Sequence, residues 1–189
     1  LAALPRLAEL GLRAFACDED ALAALPVSLQ SLRLENLRGV TADGVRRLAR
    51  LRQLRSLLWI APAVPDLSEA IVDVVRTSPL EQFVWASGPL PGAVWRALET
   101  KTRLRSLAVR VGPDAAVFAS QLLRYPDLER LRLFLASCPD RPETLRLGEL
   151  AKLRQLELVP VPPLEQGGLS RLAAEARDLL GERVLVRTW

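Results

Sequence analysis

The sequence predicts an α/β array of stacked strand–helix units whose strands form a parallel sheet. Three observations predict it. The pattern L-x-x-L-x-L, with bulky substitutes at a few places, starts at positions 7, 29, 54, 80, 104, 128 and 153 of a 189-residue chain. The spacings are 22, 25, 26, 24, 24 and 25 residues, a period too even for chance. Between these runs the apolar period changes from two toward 3.6, which is how a strand gives way to a helix. Half of the residues are hydrophobic and a quarter are charged, the balance of a folded chain.

The units follow in order. Leu7, Leu10 and Leu12 open the first strand, and Asp18, Glu19 and Asp20 suit the start of a helix running into Ala21 to Leu25. Leu29, Leu32 and Leu34 make the second strand. Thr41 then reads as the N-cap of a helix with Val45, Leu48 and Leu51 on one face. The third strand carries Leu54, Leu57 and Trp59. Asp66 and Glu69 have the spacing of a helix start, with Ile71, Val74 and Val75 as the apolar face. Leu80, Phe83 and Trp85 form the fourth strand, followed by a helix that packs Trp95 against the sheet. Trp59 and Trp85 hold the inward third place of the motif and are expected in the core.

The second half repeats the scheme. Leu104, Leu107 and Val109 precede Pro113-Asp114 and a helix turning Phe118 and Leu122 inward. Leu128, Leu131 and Leu133 follow. The stretch from Cys138 to Lys152 is ambiguous, since Leu145 and Leu147 suit a strand or a helix. Leu153, Leu156 and Leu158 lead to the longest amphipathic segment, Gln166 to Leu180, with Leu169, Leu172, Ala173, Ala176 and Leu179 as its apolar face. Gly181 is placed to end it. Val184-Leu185-Val186 falls where an eighth strand belongs, and Trp189 is placed to cap it.

One such unit cannot bury its own apolar face, so neighbours must stack, with right-handed crossovers placing the helices on one side. The chain resembles the leucine-rich-repeat proteins over nearly all its length. The best single unit is Leu29, Leu32, Leu34, Val40, Thr41, Asp43, Gly44, Val45 and Leu48, which looks like the helix-bearing, ribonuclease-inhibitor-like or cysteine-containing-like subclass. The resemblance implies a horseshoe-shaped solenoid of seven or eight repeats, sheet concave and helices convex, over residues 1–189 as a single domain. A fragment of a longer chain is expected, because the sequence starts without methionine. The repeats depart from the family at one point. The family places Asn or Cys after the strand motif to bond the loop backbone. Here those places hold Phe15, Leu37, Pro62, Gly88, Gly112, Ala136 and Val161. Small residues and prolines are expected to close the turns instead.

Composition narrows function. The chain has no histidine, which removes His-based zinc sites and His acid–base or triad catalysis. Phosphate-loop patterns and a singled-out acid pair are missing as well. No enzyme activity, cofactor, metal or small-molecule substrate is expected. The net charge of +4 comes mostly from arginine. Arg46, Arg47, Arg50, Arg52 and Arg55 lack interleaved aromatics, so they read as a solvated helix-side face and nucleic acid is not the expected partner. No apolar run spans a bilayer, and the expected location is cytoplasmic, with a leader before Leu1 left open. Cys17 and Cys138 lie five strands apart, about 24 Å, too far for a bridge.

A site is expected on the concave face. Side chains beside the inward leucines point outward there. Leu58, Ile60, Val84, Ala86 and Ala108 would form an apolar patch, rimmed by Arg33 and Glu35 on one side and by Arg110, Arg130, Arg132 and Phe134 on the other. An apolar centre with an arginine and aromatic rim suits a protein partner. Three roles are compatible with the repeats: a stand-alone protein-binding module, a sensor or autoinhibitory domain of a larger signalling or immune-type ATPase, and the substrate-recognition part of a ubiquitin-ligase-like effector.

Overall fold

The computed structural model describes residues 4, 6–60, 67–112, 114–137, 145–162 and 166–188. The chain forms two compact units, Leu1–Arg103 and Leu104–Trp189.

The first unit contains β1 (Glu9–Arg13), α1 (Glu19–Ala23), β2 (Ser31–Glu35), α2 (Ala42–Arg47), β3 (Ser56–Ile60), α3 (Leu67–Thr77), β4 (Gln82–Pro89) and α4 (Gly92–Leu98). β1 to β4 pair in chain order, all parallel, and the motif positions align: Leu10 with Leu32, Leu57 with Phe83, Trp59 with Trp85. A run of parallel neighbours in one direction, each joined by a right-handed crossover, puts every connecting helix on the same face. The helices pack in sequence, α1 on α2, α2 on α3 and α3 on α4. The motif side chains Leu32, Leu34, Leu57 and Phe83 are fully buried. Each such leucine contributes about 1.5–3 kcal/mol of burial. Trp59 and Trp85 are in this core as expected, stacked with ring centroids 6.4 Å apart. Trp95 on α4 is buried too.

Local chemistry explains the helix starts. The Asp18 carboxylate accepts from the Ala21 N–H at 2.8 Å, and the Thr41 hydroxyl accepts from Gly44 N–H at 3.1 Å. Asp66 lies outside the described residues. Gly44 marks a close approach of α2 to α1: a Cβ there would sit 3.3 Å from Leu22 Cδ1 and 3.4 Å from Glu19 Cα, so a neighbour would have to give by a few tenths of an ångström. α2 tightens into a 3₁₀ turn, Leu48–Arg50, yet Val45, Leu48 and Leu51 are all fully buried.

The second unit contains β5 (Ser106–Arg110), α5 (Ala115–Leu122), β6 (Arg130–Leu135), β7 (Gln155–Pro160), α6 (Gln166–Leu180) and β8 (Leu185–Thr188). These four strands are again parallel and in chain order, with Leu107 opposite Leu131, Leu131 opposite Leu156 and Leu156 opposite Val186. Asp114 caps α5, accepting from Ala116 and Val117 N–H at 3.0 Å each, and Phe118 and Leu122 turn inward. The ambiguous stretch resolves partly: Leu147–Glu149 is a 3₁₀ turn, and Leu145 and Leu147 are both buried. Cys138 and Trp189 lie outside the described residues.

One helix face needs correction. Leu169, Leu172, Ala173 and Ala176 are buried, but Leu179 is 48% exposed and Leu180 is buried in its place. The face continues by a four-residue step from Ala176 to Leu180. Leu179 lies to the side, over the 3₁₀ turn, where a Cβ on Gly148 would be 3.6 Å from its Cγ. Gly181 ends α6 with φ +63°.

Backbone bonds between repeats stand in for the missing asparagine ladder. Ala14 and Asn36 adopt left-handed φ values of 52° and 49° straight after β1 and β2. Ala14 N–H donates to Glu35 O at 2.9 Å and Asn36 N–H to Ile60 O at 2.6 Å. Arg38 N–H then reaches Phe15 O, and Cys17 N–H reaches Arg38 O. Leu37 is buried, while Phe15 faces solvent. With one strand per 22–26 residues, motif leucines buried in register and helices in the crossovers, this is a leucine-rich-repeat fold.

Candidate functional site

The sheet face opposite the helices carries the side chains that alternate with the leucines. In the first unit, one register row runs Gly11, Arg33, Leu58, Val84, and another runs Arg13, Glu35, Ile60. Leu58, Ile60 and Ala86 are half-buried. Val84 is different: at 4% exposure it offers a partner almost no surface. The longer Leu58 stands opposite it across the ladder. Ala108, placed in the same patch by its sequence position, is also 4% exposed and belongs to the second unit.

Glu35, expected at the rim, is only 6% exposed. Its carboxylate is bonded by Arg33 from the same strand and approached by Arg13 Nε at 3.4 Å from β1. A buried carboxylate on an otherwise open face requires such partners. The ion group fixes the geometry of the face beside Leu58 and Ile60.

The second unit has the same device. Its middle row runs Ala108, Arg132, Glu157, Arg187, and the next runs Arg110, Phe134, Val159. Glu157 is 7% exposed, bonded by Arg132 Nε and by Gln155 Nε2. A third row places the exposed Arg130 beside Gln155, with Leu185 beyond it at 50% exposure. Phe134 and Val159 are half-buried. Leu185 and Arg187 join the face without having been expected there, although the alternation through Val184-Leu185-Val186 implies their direction.

The arginine run on the helix side is more structural than its spacing implies. Arg46 pairs with Asp43, Arg47 with Glu19 at 3.8 Å, and Arg55 with Glu81 at 3.1 Å. Arg50 Nη2 donates to Ala23 O at 2.5 Å and also to Leu25 O, at the C-terminal end of α1. In the second unit, at the strand-entry edge, a hydrogen bond from Lys152 draws the Asp127 carboxyl below its ordinary range. That bond runs from Lys152 Nζ to Asp127 Oδ1, with Arg105 Nη1 3.6 Å from the other carboxylate oxygen.

Two hollows open at strand-entry edges, one lined by Pro79, Thr100, Lys101 and Arg103, the other by Glu129, Lys152 and Arg154. Their volumes, about 210 and 270 Å³, fall below the roughly 300 Å³ at which small-molecule pockets begin. Among the described residues no cluster of three or more Cys, Asp or Glu side chains could hold a metal, and no helix is long and apolar enough to cross a membrane.

No protein-family model matches the sequence, and no curated protein matches it. Among solved structures, the chain is similar to an internalin (inlF) from Listeria monocytogenes str. 4b F2365. The identity is 13%, the TM-score is 0.46, and the match covers 97% of this chain and 61% of that one. The chain thus spans less than two thirds of that internalin's length. At this identity and score the likeness adds nothing to the site, and the fold rests on the register and burial of this chain's own repeats.

Proposed function

We propose that the chain is a protein-binding module that meets its partner with the helix-free face of its sheet. The observation that carries this reading is the pair Leu58 and Ile60, half-buried and aligned on that face beside an ion group built on the buried Glu35. Apolar side chains held on a rigid sheet supply contact area at little entropic cost, and fixed charges beside them orient the partner. Val84 and Ala108, each 4% exposed, offer the partner almost no surface. The helices in the crossovers favour the helix-bearing subclass of the repeats.

The test is a pull-down from the source cell's lysate with three forms of the chain: wild type, Leu58→Asp with Ile60→Asp, and Arg96→Glu on the exposed side of α4. All three are checked for native circular dichroism first. A protein retained by wild type and Arg96→Glu but lost from the double variant supports the reading. Equal retention by all three moves the site off this face.

A further inference from the structure

We propose that the sheet face of the second unit docks an extended acidic protein segment, seating its carboxylates on Arg110, Arg130 and Arg187 and an apolar side chain against Phe134 and Leu185. This deepens the reading of the sheet face as a protein-binding surface and rests on it.

Four arginines and one glutamate point outward from β5 to β8. Glu157 is held by Arg132. Arg110, Arg130 and Arg187 form no ion pair among the described residues. The helix on the other side is balanced: Arg171 and Arg177 on α6 are matched by Glu175 and Asp178. The positive excess therefore belongs to the sheet face.

Spacing and apolar surface define the occupant. Strands lie about 4.8 Å apart and same-face neighbours about 6.6 Å apart along a strand. The register then sets the three arginine Cα positions roughly 12–16 Å from one another. An extended chain covers one such separation in about four or five residues, and all three positions, which form a triangle, in about eight. Phe134 lies next to Arg110 across the ladder, and Leu185 lies two residues from Arg187 on β8, half-exposed. An acidic segment with one large apolar residue fits both features.

Nucleic acid fits less well. Among the described residues Phe134 is the one aromatic ring on this face, too few for a stacking platform.

The test selects displayed random twelve-residue peptides on the full chain, then measures the winners against three variants and against a twenty-nucleotide oligothymidine. The variants are Arg130→Glu with Arg187→Glu, Phe134→Ser, and, as a charge-matched control, Arg171→Glu with Arg177→Glu. The expected winners carry two or three Asp or Glu within about eight residues and one large apolar residue. They lose about ten-fold or more in affinity on the sheet-face reversal, and keep their affinity on the α6 control. Winners without acidic residues that are still lost on Phe134→Ser overturn the acidic occupant but keep a protein-binding face. Winners indifferent to every sheet-face variant, or no winners, overturn both. Oligothymidine bound more tightly than any peptide, with binding that collapses as salt rises, also overturns the proposal in favour of a nucleic acid.

Discussion

Arg50 ties one repeat to the next, and its removal gives the sharpest test of the packing. The guanidinium donates to the carbonyls of Ala23 and Leu25, where α1 runs out of intrahelical partners. Its charge also faces the negative end of that helix. Arg50→Met keeps the aliphatic stem and removes both bonds. A hydrogen bond to a charged group contributes about 1.5–3 kcal/mol. Two bonds share one group here, but Arg50 Nε is buried with no partner among the described residues, which offsets part of the gain. The expected loss is therefore about 2 kcal/mol, or about 4–8 °C in Tm for a chain of this length. Urea unfolding followed by tryptophan fluorescence reads it directly, because Trp59, Trp85 and Trp95 all lie in the first unit. Arg52→Met, at an exposed position two residues on, is expected to change stability by less than about 0.5 kcal/mol. Equal losses for the two variants would refute the capping role.

Asp114→Ala removes the acceptor for two N–H groups at the start of α5 and is expected to cost about 1 kcal/mol, measured as a lower urea midpoint. Burial, and then the adjacent Asp18 carboxylate, push the Cys17 thiol above its ordinary value near 9.0. The folded state therefore keeps the proton longer than the unfolded state. This group's contribution to stability is full below about pH 9 and is lost as the pH rises past it, and Cys17→Ala flattens that fall. In a Cys138→Ser background, alkylation of Cys17 at about pH 8, below its raised value, is expected to be slow until denaturant is added.

Much of the fold is legible because burial forces a period on the sequence. The strand leucines have to align, and the register pairs them as the spacing predicts. What escapes is decided by neighbours in other repeats. Arg50 resembles a solvated cation in the sequence because its acceptors are backbone carbonyls 25 and 27 residues back, which no side-chain pattern records. Glu35 belongs partly to the same class: besides Arg33 two residues back on its own strand, its carboxylate meets Arg13 from the preceding repeat. Val84 and Ala108 point to the predicted face, yet their short side chains are buried there. Leu179 and Leu180 satisfy a helical period almost equally well, and which of them is buried depends on what the neighbouring segments place against α6.

The helix-free sheet face is the surface proposed to meet a protein. Photo-crosslinking tests it most directly, with benzoylphenylalanine placed singly at positions 58 and 134 on the sheet face and at 96 and 177 on the helix side. A discrete crosslinked protein is expected in the source cell's lysate from the sheet-face positions and none from the helix side. Adducts confined to positions 96 or 177 would contradict it.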